Sequence, residues 1–499
     1  MSDDRDDDSE HDERDDADFN GLNALGDLGD LSPFADGNEG TNLSDDSDYE
    51  LDDSEYAEAA ARVYVELLAR TGEAAPQPRL EATRRVVELL GDPHRAYPII
   101  HVTGTNGKTS TSRMIESILR AYGLRTGLMT SPHLVRVNER IVIDGLPISN
   151  RALAANWEDI RPYLALVDGE LIAAGEQPLT FFEALTALAF ASFADAPVDV
   201  GVIEVGMGGE WDSTNVADGQ VAVFTPIALD HTQRLGNTVA EIARTKSGII
   251  KPVASIVSAR QQPDALAELE RAAELTESRI AVEGDGFALE STTVAVGGQV
   301  ITVRGRAGIY RDHFLPLFGD HQAQNAAVAI AAVESFLGDG AQTLVGDVLA
   351  EGLATATSPG RLQIVGTEPT VLVDAAHNPH GAAALAAAIR EYFTFDEVAV
   401  VLGVLEDKDA AGIIAALAPI ATIFVATASG SDRAVPTAEL ADALRETNDN
   451  VTEADSLADA MAEARSWAGR VPKRAVLVTG SITLIGEVMT LASAEGWKS

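Results

Sequence analysis

The chain of 499 residues contains no cysteine. It can therefore form no disulfide, thiolate nucleophile, zinc–thiolate site or iron–sulfur cluster, which suits a protein of a reducing cytoplasm. No stretch stays apolar over the roughly 18 residues that a membrane helix requires. The N-terminus also lacks the basic stretch followed by an apolar one that marks a secretory signal. We expect a soluble cytoplasmic protein that does not bind membranes.

Positive charge is scarce as well. The formal net charge is −42, and residues 1–55 hold 22 acidic residues against 2 arginines. Because this charge repels phosphates, we expect no nucleic-acid partner. So acidic a segment cannot bury enough apolar surface to fold, which predicts a disordered tail over residues 1–55. The alternative for this tail is an acidic arm that docks on a basic partner.

Lysine is rare, with 6 lysines against 30 arginines. Four of the six, Lys108, Lys246, Lys251 and Lys408, fall in segments marked by glycine, histidine or aspartate. This placement favours a functional role for those segments.

A first helix is predicted where the acidic tail ends. The segment YAEAAARVYVELLARTG starts at Tyr56 and has a glycine, Gly72, at its end. We expect one apolar face formed by Ala60, Val63, Val65, Leu67 and Leu68.

Apolar, β-branched runs alternate with amphipathic helices along the rest of the chain. Runs such as YPIIHVTG, PVDVGVIEVG and TVLVDAAH are typical of strands buried on both faces of a parallel sheet, so the predicted fold class is α/β. Between about residues 283 and 317, TTVAVGGQVITVRG predicts an antiparallel hairpin instead. After the segment SPGR the alternation restarts at Thr370. This predicts a first domain over residues 56–357 and a second over residues 358–499.

The segment GTNGKTS lies between an apolar run and a predicted helix. A strand, a glycine loop and a helix in this order direct backbone N–H groups and a helix N-terminus at one point, which binds phosphate. Lys108 adds a mobile cation, and Thr109 adds a hydroxyl for magnesium. Val102 stands where a full Walker sequence has glycine, so a tight turn with an incidental lysine is the alternative. The helix that follows has an apolar side formed by Met114, Ile115, Ile118, Leu119 and Tyr122.

Polar side chains that suit a metal or a proton transfer recur at strand ends. They are Ser131 in TSPHL, Glu204 in VIEVG, and Asp230 with His231 in ALDHTQ; Glu183 lies in the apolar helix TFFEALT. Magnesium-dependent phosphoryl transfer needs hard oxygen ligands near the phosphates. Each residue alone has an ordinary structural explanation, such as a turn or a core position. Their recurrence points to the carboxyl edge of a parallel sheet, where α/β proteins bind ligands.

These segments together resemble a known family. The series of segments spans about residues 60–490 in order and comprises GTNGKTS, TSPHL, NERI, TFFEALT, EVGMGG with DSTN, LDHTQRLGNTVAEIARTKSGIIK, FGDHQAQNAAVA, SPGR, DAAHNPHG, VLGVLEDKD and TGSITLIGEV. It resembles folylpolyglutamate synthase/dihydrofolate synthase, a branch of the Mur ligase superfamily. The resemblance implies an N-terminal P-loop ATPase domain with a mainly parallel sheet, followed by a smaller Rossmann-like domain. The acidic tail lies outside it.

The resemblance also implies an activity. ATP would phosphorylate the carboxylate of a dihydropteroate or reduced folate, and the amine of L-glutamate would attack the acyl phosphate. The products would be ADP, phosphate and a new amide or γ-glutamyl bond. The implied cofactors are ATP and Mg²⁺, and the implied assembly is a monomer.

Site residues follow from the matching positions. The phosphate loop is assigned to Gly104, Asn106, Gly107, Lys108, Thr109 and Ser110. Magnesium is assigned to Thr109, Ser131, Glu183 and His231. The inter-domain side of the nucleotide is assigned to Asn325, Arg361, Asp374 and His377. The catalytic residues are Lys108, His231 and Lys246, the last matching a lysine that is carbamylated in this family.

Two other functions are compatible with parts of this pattern. One is a muramyl peptide ligase of the same superfamily, against which the segments SPHL and FFEALT favour the folate branch. The other is a nucleotide-binding protein without ligase activity. The joint presence of Glu183, His231 and Lys246 argues against it, because nucleotide binding alone does not require them.

Overall fold

The structure is a computed structural model that describes residues 53–72 and 75–498. The predicted acidic tail lies outside the described residues as far as residue 52. Within the described ranges no helix has the length and hydropathy of a transmembrane span.

The larger sheet has eight strands and a mainly parallel arrangement. Its order is β4-β3-β2-β5-β1-β6-β7-β8, with β3 and β4 antiparallel at one edge. The strands are β1 (Ile99–Thr103), β2 (Thr126–Met129), β3 (Ile141–Ile143), β4 (Leu146–Pro147), β5 (Val200–Glu204), β6 (Val221–Phe224), β7 (Ser255–Ser258) and β8 (Arg279–Val282). β1 is parallel to β5 and β6, and β5 is also parallel to β2. The segments that follow β1, β2, β5 and β6 therefore meet at one edge of the sheet.

Helices cover both faces of this sheet. They are α1 (Ala57–Leu68), α2 (Glu81–Leu89), α3 (Lys108–Ala121), α4 (Asn150–Ala173), α5 (Phe181–Asp195), α6 (Thr232–Leu235), α7 (Val239–Ser247) and α8 (Pro263–Leu275). One core lies between the sheet and α1, α2, α4 and α5, and another contains α3. The buried strands carry apolar residues on both faces for this reason.

The predicted hairpin forms and gains a third strand. β9 (Ala288–Ala295), β10 (Gly298–Arg304) and β11 (Ile309–Leu315) build an antiparallel sheet. The helices α9 (Asp320–Gly338) and α10 (Gly346–Ala354) follow. Both pack against α3, so the helix that starts at the glycine loop is held from behind.

A separate six-stranded sheet occupies the C-terminal part. Its order is β12-β13-β17-β14-β15-β16, parallel except for β12. The strands are β12 (Gln363–Thr367), β13 (Thr370–Asp374), β14 (Glu397–Leu402), β15 (Ile423–Ala426), β16 (Val451–Glu453) and β17 (Arg474–Thr479). The helices are α11 (Pro379–Tyr392), α12 (Ala410–Leu417), α13 (Thr437–Arg445), α14 (Leu457–Ala468) and α15 (Ile482–Ala494). The α/β class is confirmed, and the predicted division at residues 357/358 falls between α10 and β12.

The face predicted for α1 is partly wrong. Ala60, Val63 and Leu67 are buried, but Val65 and Leu68 are 60% and 56% exposed. A helix turns about 100° per residue, so positions three, four and seven apart share a face, whereas Val65 lies nearly opposite Val63. The apolar side predicted for α3 is buried at Met114, Ile115, Ile118 and Leu119, and Tyr122 packs against it.

Candidate active site

The glycine loop between β1 and α3 is shaped by backbone that only glycine can form. Gly104 has φ of +149°, and a Cβ there would lie 1.9 Å from Thr225 Oγ1. Gly107 has φ of +87°, and its Cβ would lie 2.6 Å from Asn325 Oδ1. The loop thus packs directly against its neighbours, and α3 starts at the next residue, Lys108. This is the strand, loop and helix arrangement that receives a phosphate group.

Two lysines meet at the carbonyl of Gly104. Lys108 Nζ donates to Gly104 O and Thr105 O, at 3.3 Å each. Lys246, at the end of α7, donates from Nζ to Gly104 O at 2.8 Å. Burial, and after it the charge of Lys108, lowers the pKa of Lys246 to about 7. A substantial fraction of Lys246 is therefore an uncharged, nucleophilic amine at neutral pH.

Glu204 is the carboxylate at the centre of the site. It ends β5, is 1% exposed and accepts a hydrogen bond from Thr109 Oγ1 at 3.0 Å on Oε1. Its Oε2 accepts the backbone N–H of Ser131 at 3.4 Å. Burial raises the pKa of Glu204, while the nearby charges of Lys108 and Arg361 act in the opposite direction. The phosphate loop, the segment after β2 and the end of β5 meet at this one side chain.

Glu183, which the family resemblance assigns to magnesium, is hydrogen-bonded by Arg79 and Thr180. Arg79 donates from Nε to Oε1 at 2.9 Å and from Nη2 to Oε2 at 3.0 Å. Oε2 also accepts the backbone N–H of Thr180 at 2.7 Å, which caps the start of α5. Both carboxylate oxygens of Glu183 thus have structural partners. Thr109 and Ser131 contact Glu204 instead, because the register sets β5 beside β1.

The donor set around Glu204 is mixed. Across the described ranges, no three His, Asp or Glu side chains converge as a metal-binding group. A magnesium ion here would need hydroxyl ligands beside the carboxylate, and Thr109 and Ser131, which contact Glu204 through Oγ1 and the backbone N–H respectively, are the residues that carry one. Mg²⁺ accepts such oxygen ligands and usually keeps several waters, so the residues present fit this ion.

Asp230 joins the two domains. Lys408 of the C-terminal domain donates from Nζ to Asp230 Oδ1 at 3.1 Å, and His377 Nε2 lies 3.7 Å from Oδ2. Burial alone raises the pKa of Asp230, but the contact with His377 and the charge of Lys408 outweigh it and hold that pKa far below its usual range. Burial lowers the pKa of the neighbouring His231 to about 4, so its imidazole is neutral at pH 7.

The phosphate loop itself also touches the C-terminal domain. Asn378 Nδ2 donates to Asn106 Oδ1 at 3.1 Å, and Asn106 Nδ2 lies 3.0 Å from His380 Nδ1. Ser110 Oγ and Ser358 Oγ are 2.8 Å apart. The glycine loop therefore contacts the start of α11, and the first turn of α3 contacts the segment before β12.

The remaining predicted nucleotide residues surround the same space. Asp374 ends β13 and accepts the backbone N–H groups of Leu362 and Ala376 at 2.8 Å each. Asn325 lies so close to Gly107 that it leaves no room for a side chain there. Its Nδ2 donates a hydrogen bond to Gln322 Oε1 at 3.1 Å. A cleft of about 1660 Å³ is lined by every predicted site residue, namely Gly104, Asn106, Gly107, Lys108, Thr109, Ser110, Ser131, Glu183, His231, Lys246, Asn325, Arg361, Asp374 and His377.

The polar residues of this cleft that were not assigned a role from the sequence include Asn378, His380 and Lys408. The sequence could have indicated all three, because they lie in the polar segments HNPH and EDKD, which follow the apolar runs of β13 and β14. Strand ends in this domain face the cleft just as those of the first domain do.

Comparison with known proteins agrees with this architecture. Residues 102–333 match the Mur ligase middle domain, and residues 360–482 match the Mur ligase glutamate ligase domain. The dihydrofolate synthase/folylpolyglutamate synthase of Mycobacterium tuberculosis is 44% identical over 459 residues, which cover 87% of this chain and 94% of that protein. The enzyme of the same name from Bacillus subtilis is 33% identical over 413 residues, covering 83% and 94%.

Solved structures are similar over the same length. Mycobacterium tuberculosis folylpolyglutamate synthase complexed with ADP has a TM-score of 0.84 and 43% identity, covering 88% of this chain and 99% of that one. Escherichia coli FolC in complex with DHPP and ADP has a TM-score of 0.78 and 30% identity, covering 88% and 99%. Fold and site together define an ATP-dependent ligase of the Mur type. Within that class, the chain belongs to the dihydrofolate synthase/folylpolyglutamate synthase family.

Proposed function

We propose that the protein joins L-glutamate to dihydropteroate, to reduced folates or to both, with ATP as the source of energy. The observation that carries this proposal is the convergence of the glycine loop, Glu204 and Lys246 with Lys408 of the second domain in one cleft. Two relatives, 44% and 33% identical, carry the name dihydrofolate synthase/folylpolyglutamate synthase, and they support pteroates and folates as the class of substrate.

In this proposal the glycine loop binds the nucleotide phosphates. The loop residues Gly104 to Ser110 present backbone N–H groups and the N-terminus of α3, and Lys108 swings from its carbonyl contacts to the phosphates. Asn325 on α9 contributes from the first domain, beside Gly107, and the second domain contributes Arg361, Asp374 and His377 from the opposite wall. Relatives solved in complex with ADP support nucleotide binding by this chain.

Magnesium would be held by Thr109, Ser131 and Glu204, with the neutral imidazole of His231 nearby. When bound, the ion neutralises part of the phosphate charge. Glu204 fits this role because its buried carboxylate contacts the other two residues. Glu183 is left out of the set, since Arg79 occupies both of its oxygens.

The reaction runs in two substitutions. The carboxylate oxygen of the pteroate or folate attacks the γ-phosphorus of ATP, the bond to ADP breaks, and an acyl phosphate forms. The amine of L-glutamate then attacks the acyl carbon, phosphate leaves and the amine loses a proton. Lys108 and Arg361 offset the negative charge of the phosphoryl group in the first step, where positioning and charge account for most of the rate.

The two domains protect the intermediate from water. An acyl phosphate is hydrolysed when water reaches it, and closing a site excludes water. Asp230 with Lys408, and Asn106 with Asn378 and His380, hold the two walls together on either side of the cleft. The amine of glutamate is therefore the favoured nucleophile in the closed protein.

Lys246 is proposed to carry a carbamate. Carbon dioxide adds only to the neutral amine, and a pKa of about 7 makes that form available. The amine nitrogen bonds to the carbon of carbon dioxide and releases one proton, so the product is an anionic carbamate at the position where Nζ now meets Gly104 O. This exchanges the buried cation for a group that attracts magnesium.

The test is a four-component reaction. Purified protein with dihydropteroate, L-glutamate, ATP and Mg²⁺ should release phosphate, and omission of any one component should abolish the release. Lys108→Ala should remove turnover while leaving the fold intact. A muramyl peptide precursor in place of dihydropteroate should give none. Turnover with that precursor, or phosphate release without glutamate, contradicts the proposal.

A further inference from the structure

The segment SPGR, residues 358–361, forms a tight turn in the connection between α10 and β12, where the two domains join. The backbone N–H of Arg361 donates to Ser358 O at 3.1 Å, with Pro359 and Gly360 between them. Gly360 has φ of +69°, the positive value that a type II turn has at its third residue, and proline is favoured at the second. The turn therefore fixes Ser358 and Arg361 relative to each other.

The side chain of Ser358 connects this turn to the phosphate loop. Its Oγ lies 2.8 Å from Ser110 Oγ in the first turn of α3. Gln322 Nε2 donates to the same Ser110 Oγ at 3.3 Å, and Asn325 Nδ2 donates to Gln322 Oε1 at 3.1 Å. All four residues are buried, at 2% to 5% exposure. Loss of one partner from such a contact leaves a buried polar group unpaired.

Arg361, at the other end of the turn, lines the cleft, whereas Ser358 does not. Pro359 and Arg361 also line, together with Thr109, a second space of only about 20 Å³, which is room for a single water molecule. Within the described ranges the guanidinium of Arg361 has no hydrogen-bond or ion-pair partner. Its position beside the phosphate loop therefore depends on the turn that carries it.

We propose that Ser358 is a positioning residue whose hydroxyl holds the SPGR turn against the first turn of α3, and thereby places Arg361 at the terminal phosphoryl group of the nucleotide. Ser358 touches neither nucleotide nor metal, and it acts through Arg361. Its effect falls on a triphosphate, because a diphosphate lacks the group that Arg361 meets. This inference rests on the proposed function, which gives Arg361 that task.

Thr355 provides a matched control in the same connecting segment. Thr355 Oγ1 lies 3.1 Å from Ser117 Oγ, so it also pairs a hydroxyl with a serine of α3. Ser117 lies about two helical turns beyond Ser110, away from the phosphate loop. Thr355→Ala therefore removes a similar contact without releasing the SPGR turn.

The test measures the binding of AMPPCP, a non-hydrolysable analogue of ATP, and of ADP to the full-length chain by calorimetry with Mg²⁺. Loss of one buried hydrogen bond between uncharged groups changes an equilibrium constant by roughly two- to tenfold. Ser358→Ala should weaken AMPPCP binding at least threefold and ADP binding less than twofold. T355A should weaken both less than twofold. S358T keeps the hydroxyl and should restore AMPPCP binding.

A double-mutant cycle shows whether Ser358 acts through Arg361. In protein that already carries R361M, S358A should weaken AMPPCP binding less than twofold further, because the residue that Ser358 positions is gone. In the presence of all substrates, S358A alone should lower kcat at least threefold.

The outcomes separate this inference from the ligase proposal. If wild type binds AMPPCP but releases no phosphate with glutamate, the proposed function fails, and the binding measurements still test Ser358. If wild type binds no AMPPCP, both fail. Unchanged AMPPCP binding in S358A, an equal loss of AMPPCP and ADP affinity, an equal effect of T355A, or a full further loss in the R361M protein overturns the positioning role. If S358A does not fold, S358C replaces it; if neither folds, Ser358 serves stability alone and the inference is overturned.

Discussion

Lys408 Nζ lies 3.1 Å from Asp230 Oδ1, and this pair links the C-terminal domain to the segment that follows β6. Both side chains are almost buried, at 10% and 12% exposure. Loss of one partner would leave the other charge buried without compensation. Removing a partner from this pair should therefore destabilise the closed arrangement of the two domains far more than breaking an exposed pair would.

We therefore expect Lys408→Met to favour the open arrangement of the domains by about 3 kcal/mol. Turnover with glutamate should fall at least tenfold, and X-ray scattering in the presence of ADP should show a larger radius of gyration. Lys498→Met is the matched control, since Lys498 pairs with Glu368 at 3.3 Å with both side chains about three-quarters exposed. Equal behaviour of the two variants would show that the Asp230 pair does not govern closure.

Glu204 and Glu183 offer a direct comparison of two buried carboxylates. Glu204→Gln should lower phosphate release by about 10²–10³-fold, because it removes the charge beside Thr109. Glu183→Gln should leave the Mg²⁺ dependence unchanged and lower the free energy of unfolding by about 3 kcal/mol, because Arg79 loses its partner. Mg²⁺ titrations and urea unfolding of both variants check this. A reversed pattern would restore Glu183 as the magnesium ligand.

Gly104 is expected to tolerate no side chain. Gly104→Ala places a Cβ 1.9 Å from Thr225 Oγ1, so the loop has to move and ADP binding should be lost. Gly123→Ala shares the positive φ, at +79°, but meets no atom within 4 Å. Gly123→Ala should lower the free energy of unfolding only by the backbone strain of about 1–2 kcal/mol, and it should leave the affinity for ADP unchanged. Calorimetry with ADP and urea unfolding distinguish the two; retained ADP binding in G104A would mean that the loop adapts.

The shifted pKa of Lys246 predicts that activity depends on pH and on bicarbonate. Its pKa of about 7 in the folded protein means that the ammonium dominates below pH 7 and the amine above it. Activity should rise between about pH 6 and 8, and added ¹³C-bicarbonate should give a carbamate NMR signal. Lys246→Ala should lose both and regain partial activity with small carboxylates. A flat response of wild type to bicarbonate would count against the carbamate.

The lowered pKa of Lys246 also makes the free energy of unfolding depend on pH. The folded pKa of about 7 lies below the ordinary value of 10.5, so between these two values the unfolded chain binds more protons than the folded one. The contribution of Lys246 to stability is thus least favourable below pH 7 and rises with pH until about 10.5. Unfolding of wild type and K246M at several pH values measures it.

The sequence predicts the strands, the glycine loop and the α/β class well because each depends on local patterns. β-branched runs mark buried strands, and a glycine pair before Lys108 marks the loop. The order of strands in the sheet is not local, and it decides that Glu204 stands beside Thr109 while Glu183 faces Arg79. The pairing of Asp230 with Lys408, 178 residues apart, depends on how two domains close and has no local signature. Family resemblance supplied most of the remaining site residues.

Half of the six lysines, Lys108, Lys246 and Lys408, line a single cleft. Because the chain offers few other amine targets, the labelling of each of these three lysines can be assigned to its own peptide and reports on that cleft. Bound nucleotide would appear as protection of specific peptides in mass spectrometry, without any need for a fluorescent or radioactive ligand.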